Sequence, residues 1–392
     1  MQNQKSNISP PGVRRVKTAE ALRADFLGVA FWILISAFKA DGLAGLCGLW
    51  FILLSCVGCS PSAPGAAVTG EMFPALEKPV VWPGPPEQGR VRFVGTLSTE
   101  ESLGRKVSWT QGLGELIFGR EKVGVLRGPS AIALGPHERL YIADGAGRVV
   151  HVFGLTSRRY EQFSSLGANK TLMMPVALTV VDERLYVVDS VLHQVCIFDS
   201  KGKFRGSFGS EQLIRPSGIA YCPKRDELYV SDAGGHAIHV FDKSGESIQT
   251  MGCRGVEPGQ FNYPTHLWVD ESGKLYVSDT LNYRIQIFSH EGNSWETFGG
   301  HGDRPGYFAH PAGIATDSFG HIYVTDRQFE NIQIFDAEGK ILLAIGHEGG
   351  GVGEFWLPGG VFIDDRNRIY VADSFNKRVQ VFELLEVPED ED

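Results

Sequence analysis

The chain has 392 residues, 43% of them hydrophobic, with 48 glycines and a formal net charge of -9 at pH 7. That length carries one large domain or two with a sizeable core, and the Gly-rich mix is the one expected of many short strands joined by tight turns. The acidic balance argues against a general phosphate-binding surface, because nucleic-acid affinity rests on Lys and Arg neutralising phosphates, so nucleic acid is not an expected partner.

Residues 1–25 are polar and basic, with Arg14, Arg15, Lys17 and Arg23. Two apolar stretches follow, 26–38 and 42–59, separated by Lys39 and Asp41. A basic start, an apolar run and small residues at its end describe a secretory signal. Leu53-Leu54-Ser55-Cys56 resembles the lipobox of bacterial lipoproteins, in which the Cys is lipidated and becomes the new N-terminus; Cys59 is a second lipidation candidate. The resemblance implies a bacterial cell-envelope protein anchored in the membrane through its N-terminus, at the outer membrane or periplasmic face. An uncleaved anchor and cleaved soluble export are the alternatives. The first stretch falls short of the ~20 residues a span needs, and the joined stretch contains Lys39 and Asp41, which are costly at mid-membrane. Cys56-Val57-Gly58-Cys59 has redox spacing, but Ser60 stands where a c-type haem site needs His. Residues 1–59 are therefore read as a leader or anchor. Residues 60–89, rich in Pro, Gly and Ala, read as a tether that cannot form a core.

From residue 90 to 387 one phrase repeats six times, before an acidic tail at 388–392. Its clearest copy runs from Tyr263 to Phe288, as Tyr-Pro-Thr-His-Leu-Trp-Val-Asp, Leu-Tyr-Val-Ser-Asp and Asn-Tyr-Arg-Ile-Gln-Ile-Phe. The Asp that closes the second run falls at Asp144, Asp189, Asp232, Asp279, Asp326 and Asp373, 43 to 47 residues apart. The opening Pro falls at Pro129, Pro175, Pro216, Pro264, Pro311 and Pro358 with the same period. A period in the forties fits either a propeller blade or a helical repeat. The runs are short, β-branched and aromatic and break at Gly or Asp, which decides for strands.

These residues resemble the NHL-repeat propellers, whose phrase is roughly Pro-x-Gly-Ile-Ala-Val-Asp, Gly-x-Ile-Tyr-Val-Ala-Asp and Asn-x-Arg-Val-Gln-Val-Phe. Repeats four and six match well, with Asn282-Tyr283-Arg284 and Asn376-Lys377-Arg378, whereas repeats one to three lack Asn-x-Arg and repeat five has Phe329-Glu330-Asn331. The expected fold is all-β, a six-bladed β-propeller of four-stranded antiparallel blades. The last repeat lacks its own fourth strand, and Val91–Leu97 reads like an orphan one, so the N-terminal strand is expected to complete the last blade and close the ring. The recurring Asp has a structural reading, accepting hydrogen bonds from the turn that follows it. The long stretch between Gly95 and Pro129, containing Trp109, Gln111 and Phe118, is an insertion, read either as a binding loop or as a cap over the closure seam.

Function is harder to read. In propeller enzymes ligands gather at the axial channel, and the resemblance places the residues after each opening Pro there. Five blades offer small or neutral groups at these positions; only His266 could ligate a metal, and a catalytic zinc needs about three protein ligands. A second ring lies four residues after each recurring Asp: Arg148, His193, His236, Tyr283, Glu330 and Lys377. Its mixed chemistry suits a protein or peptide surface, and ordinary exposed turns are the plain reading. Gly350-Gly351-Val352-Gly353 is Gly-rich but has no following helix to make a phosphate site. Cys196, Cys222 and Cys253 are odd in number, so no complete disulfide framework is implied. The expected protein is a monomeric, membrane-tethered propeller that binds a protein, peptide or ligand, without catalysis and without a cofactor. The alternative is a metal-dependent lyase or hydrolase with its site near His266.

Overall fold

Each copy of the phrase folds into one antiparallel sheet, because its alternating apolar positions can be covered on both faces only by neighbouring copies. In the computed structural model the chain divides into two units, Met1–Ala67 and Val68–Asp392. The residues described are 72–73, 76–104, 124–290 and 293–385. Cys56 and Cys59, most of the insertion before Pro129, and the acidic tail lie outside them.

Six sheets form a ring, and the strand closest to the axis is the first of each repeat: Pro129–Gly135, Pro175–Val181, Pro216–Cys222, Pro264–Val269, Pro311–Thr316 and Pro358–Ile363. Blade four shows the pattern in full, running outward through Pro264–Val269, Leu275–Asp279, Arg284–Ser289 and Ser294–Gly299. The sixth blade borrows its fourth strand as expected: Val91–Leu97 pairs antiparallel with Arg378–Leu384. A two-residue strand, Val81–Trp82, from the Pro-rich segment then pairs with Val91 and Arg92, so this blade has five strands. The Trp82 ring meets Phe382 edge-on at 5.7 Å, covering apolar surface at the outer edge of the sheet.

The blade-to-blade core is built from the aromatic positions of the phrase. Tyr186, Tyr229, Tyr323 and Tyr370 from second strands and Phe153, Phe198, Phe241, Phe335 and Phe382 from third strands are fully buried. Burial of each such ring contributes roughly 2–3 kcal/mol. Near the axis the constraint is space rather than apolarity. A Cβ on Gly313 would stand 2.5 Å from the Val361 amide nitrogen, and one on Gly218 would stand 2.2 Å from the Thr265 carbonyl oxygen. Small residues there let the first strands crowd together, and hydroxyls tie them: Ser278 Oγ donates to the Ala312 carbonyl (2.6 Å) and Thr325 Oγ1 to Gly359 (2.6 Å). Across the seam, Ser374 Oγ donates to the Pro129 carbonyl at 2.7 Å.

The recurring Asp sits opposite the opening Pro in the register of every first hairpin. All six are buried, and each accepts backbone N–H groups just ahead of its own Pro. In blade three, Asp232 takes the N–H groups of Ile214 and Arg215, both at 2.7 Å, and those of Gly234 and Gly235 in the following turn. In blades four and six the Asn-x-Arg-x-Gln residues supply donors instead. Asp373 accepts from Asn376 Nδ2 (2.9 Å), Arg378 Nε (2.7 Å) and Gln380 Nε2 (3.1 Å). The Gln then fastens the preceding crossing, its Oε1 accepting the Gly353 N–H at 3.0 Å. Gln286 and Gln333 hold Gly259 and Gly306 in the same way. The repeated polar residues are therefore structural, and the Gly350-Gly351-Val352-Gly353 stretch is one of these fastened crossings.

Candidate functional site: the axial channel and its crossing face

The opening Pro, the recurring Asp, the turn between second and third strands and the blade-to-blade crossings all lie at one end of the blades, called here the crossing face. His266 stands on the first strand of blade four, two residues after its Pro. Two cavities of about 470 Å³ and 340 Å³ lie along the axis, and His266 is the one residue lining both. His266 therefore stands between the two cavities, with the backbone of Ser130, on blade one opposite in the ring, close by. Nδ1 of His266 is buried without a hydrogen-bond partner. Burial, reinforced by the nearby Arg327 cation and by His310, lowers the His266 pKa to about 3. The imidazole is neutral at physiological pH and offers a donor and an acceptor, not a charge.

The larger cavity opens on the crossing face. Its lining is apolar at Met174, Val176, Tyr263 and Phe375 and basic at Arg127, Arg215, Arg327 and Lys377, with no carboxylate among the described lining residues. Arg127, Arg215 and Lys377 are exposed at its mouth, whereas Arg327 is half-buried. Arg215 lies over the Tyr263 ring at 5.3 Å from the centroid, a cation–π contact that fixes both. Arg327 comes immediately after the recurring Asp of blade five, where the other blades have Gly145, Ser190, Ala233, Thr280 and Ser374. Thr280 and Ser374 spend their hydroxyls on the carbonyls of Pro311 and Pro129. The guanidinium of Arg327 has no hydrogen bond or ion pair among the described residues, and burial lowers its pKa with nothing opposing.

These residues do not fit the metal-enzyme alternative. No group of three or more His, Cys, Asp or Glu side chains able to hold a metal ion occurs among the described residues. The charged neighbour of His266 is a cation, which repels a divalent ion.

The turn ring separates by role. All six residues, Arg148, His193, His236, Tyr283, Glu330 and Lys377, occupy the left-handed backbone region, with φ between 54° and 57°. Several hold the next blade in place. His193 Nδ1 meets the Ile214 carbonyl at 2.5 Å, and His236 Nδ1 accepts the Tyr263 N–H at 3.2 Å. Glu330 is buried beside the Leu357 N–H; burial and the Glu348 charge push its pKa up. Tyr283 rests against the His301 ring at 4.3 Å. Arg148 is exposed, and of the six only Lys377 lines the cavity that holds His266. Sequence reasoning missed Arg327. The signal was available: at the position following the Asp, five repeats have a small residue and one has Arg.

The crossing face also carries exposed apolar side chains. Ile214 is 60% exposed, Phe375 52% and Trp356 49%, joined by Met174, Val191 and Leu281. All six lie within two residues of an opening Pro or a recurring Asp, and the Trp356 and Phe375 rings stack obliquely with centroids 5.5 Å apart.

An NHL repeat family model matches residues 213–241, and the DUF5128 family model, described as a 6-bladed beta-propeller, matches residues 317–389. The chain is similar to Protein brain tumor of Drosophila melanogaster, 26% identical over 138 residues. That match spans 33% of this chain but only 13% of the fly protein's length. In solved structures it is similar to an auxiliary nutrient binding protein from Bacteroides ovatus, with TM-score 0.53 and 14% identity, covering 67% of this chain and 71% of that one. It is likewise similar to a streptogramin B lyase, with TM-score 0.50 and 13% identity, covering 66% of this chain and 94% of the lyase. At such identity these two structures speak for the fold alone. Sheet topology and blade register make the chain a six-bladed β-propeller, and within it residues 213–241 match the NHL repeat model.

Proposed function

We propose that this propeller is a non-catalytic recognition module that binds a protein partner on its crossing face. The observation that carries the reading is the makeup of that face. Exposed Met174, Val191, Ile214, Leu281, Trp356 and Phe375 share that face with Arg127, Arg215 and Lys377 at the mouth of the axial cavity. Aromatic and Met side chains with Arg, clustered on a rigid scaffold, are the composition of protein interfaces. A shared fold does not decide between binding and catalysis, since similar propellers include both a nutrient binding protein and a lyase. The makeup of the site supports recognition: no carboxylate faces its cations among the described lining residues, and its aromatics are exposed. The complementary partner surface combines apolar side chains with acidic groups.

As part of the same reading, lipidation at Cys56, or at Cys59, anchors the chain in a bacterial envelope membrane, with residues 60–71 as a spacer. Among the described residues no helix is long and apolar enough to cross a membrane. The test is affinity capture from cross-linked envelope membranes with the full chain and with a Trp356→Ala/Phe375→Ala double variant. Aromatic anchors at an interface are worth about 2 kcal/mol or more each, so the double variant is expected to lose the captured partner. Equal capture by both proteins, or steady turnover of a peptide or lactone substrate, would sink the proposal.

A further inference from the structure

The larger axial cavity has features that partner recognition on the surrounding face does not use. A volume of about 470 Å³ is the size of a small-molecule site. Its floor is His266, with a buried and unpartnered ring nitrogen. Its wall holds Arg327, whose half-buried guanidinium has no counter-charge among the described residues. Leaving a buried charge unpaired costs stability, and the other five blades avoid that cost with a small residue at this position. A guanidinium presents paired N–H donors in a plane that matches a carboxylate. Met174, Val176, Tyr263 and Phe375 add apolar surface beside it, and Arg127, Arg215 and Lys377 at the mouth draw anions inward.

We propose that this cavity binds a carboxylate carried on a small apolar body, with Arg327 pairing the carboxylate and His266 as a neutral hydrogen-bonding floor. The shared chemistry has two sources, a free organic acid or the C-terminal carboxylate of a peptide. The proposal rests on the crossing face being the recognition surface, and it adds the chemical class of ligand at the centre of that face.

The experiment uses calorimetry on the full chain with four probes. Benzoate represents a free acid and benzamide is its neutral isostere; N-acetylphenylalanine represents a peptide end and N-acetylphenylalanine amide is its neutral form. At least one carboxylate is expected to bind saturably while its amide does not, and the tighter of the two identifies the source. Arg327→Gln is expected to weaken that binding about tenfold or more, with Arg327→Lys between the two, because Lys keeps the charge without the planar fork. Arg327→Gln is also expected to melt no lower than the wild type, since it removes an unpaired charge; a clear loss of stability would mark Arg327 as structural and overturn the proposal. No saturable binding of either carboxylate up to about 10 mM, equal binding of carboxylate and amide, or unchanged affinity in Arg327→Gln would also overturn it. Partner capture is run in parallel on the same preparations. Failed probe binding with capture intact ends this inference alone, and loss of dependence on Trp356 and Phe375 ends the reading beneath it.

Discussion

Replacing Asp232 should be among the most damaging single changes in the propeller, although the residue touches no ligand. Its carboxylate is fully buried and accepts four backbone N–H groups, from Ile214, Arg215, Gly234 and Gly235, with the His239 ring 3.7 Å away. Burial alone would raise its pKa. The nearby His239 ring and the hydrogen bonds from the Ile214, Arg215 and Gly235 amides outweigh burial and hold it at about 2. Hydrogen bonds to a charged acceptor are worth roughly 1.5–3 kcal/mol each, and they share two oxygens here, so Asp232→Ala should cost about 3–5 kcal/mol. Asp232→Asn keeps one acceptor oxygen and should cost about half of that. The pH dependence follows from the depressed pKa. The carboxylate's contribution is fully present above its unfolded value of about 3.9 and is lost as pH falls through the folded value. The gap in unfolding free energy between wild type and Asp232→Asn should therefore shrink by about 2 kcal/mol between pH 6 and pH 2. Urea unfolding followed by tryptophan fluorescence across that range measures it. A cost below about 1 kcal/mol for the Ala variant, or a gap that does not change with pH, would refute the view of the recurring Asp as the clamp of each blade.

Two further predictions concern packing. Gly313→Ala places a Cβ against the Val361 amide and the Gly359 carbonyl, backbone that cannot swing aside, so it should destabilise by about 1–3 kcal/mol; an unchanged melting temperature would contradict the crowding argument. Phe355, fully buried in the crossing between blades five and six, should cost about 3–5 kcal/mol on truncation to Ala, read as a lower urea midpoint. A change under about 1 kcal/mol there would show that the crossing is loosely packed.

Much of the fold could be read from the sequence because the repeat states its chemistry six times. Alternating runs such as Ile369–Asp373 admit one strand reading, and the alternation of Val91–Leu97 identified the closing strand before any pairing was visible. The role of the recurring Asp was legible in kind but not in extent. The turn that follows it is local, whereas the donors just ahead of its Pro come from 15 to 18 residues away and require the hairpin register. Val81–Trp82 could not be read as a strand, since two residues carry no periodicity and the surrounding prolines suggested only a tether. The site was less legible. His266 was identified because it interrupts a run of small axial residues, but the neighbours that reinforce burial in lowering its pKa, Arg327 and His310, belong to blade five. Arg327 is a single departure at one repeat position, and only the three-dimensional ring shows that this position faces the channel. The turn ring's mixed chemistry suited a protein or peptide surface, with ordinary exposed turns as the plain reading. In the structure its left-handed backbone and its contacts to the next blade account for His193, His236 and Glu330, leaving Lys377 with the cavity.

The central claim is that recognition takes place on the crossing face, and site-specific photo-cross-linking tests it most directly. A photoreactive amino acid is placed at Phe375, on the crossing face, and separately at Phe319, which is 66% exposed in the turn between the first and second strands at the opposite end of blade five. With the full chain in its native membrane, the account predicts a discrete protein adduct from position 375 and none from position 319. An adduct from 319 with none from 375 would contradict it.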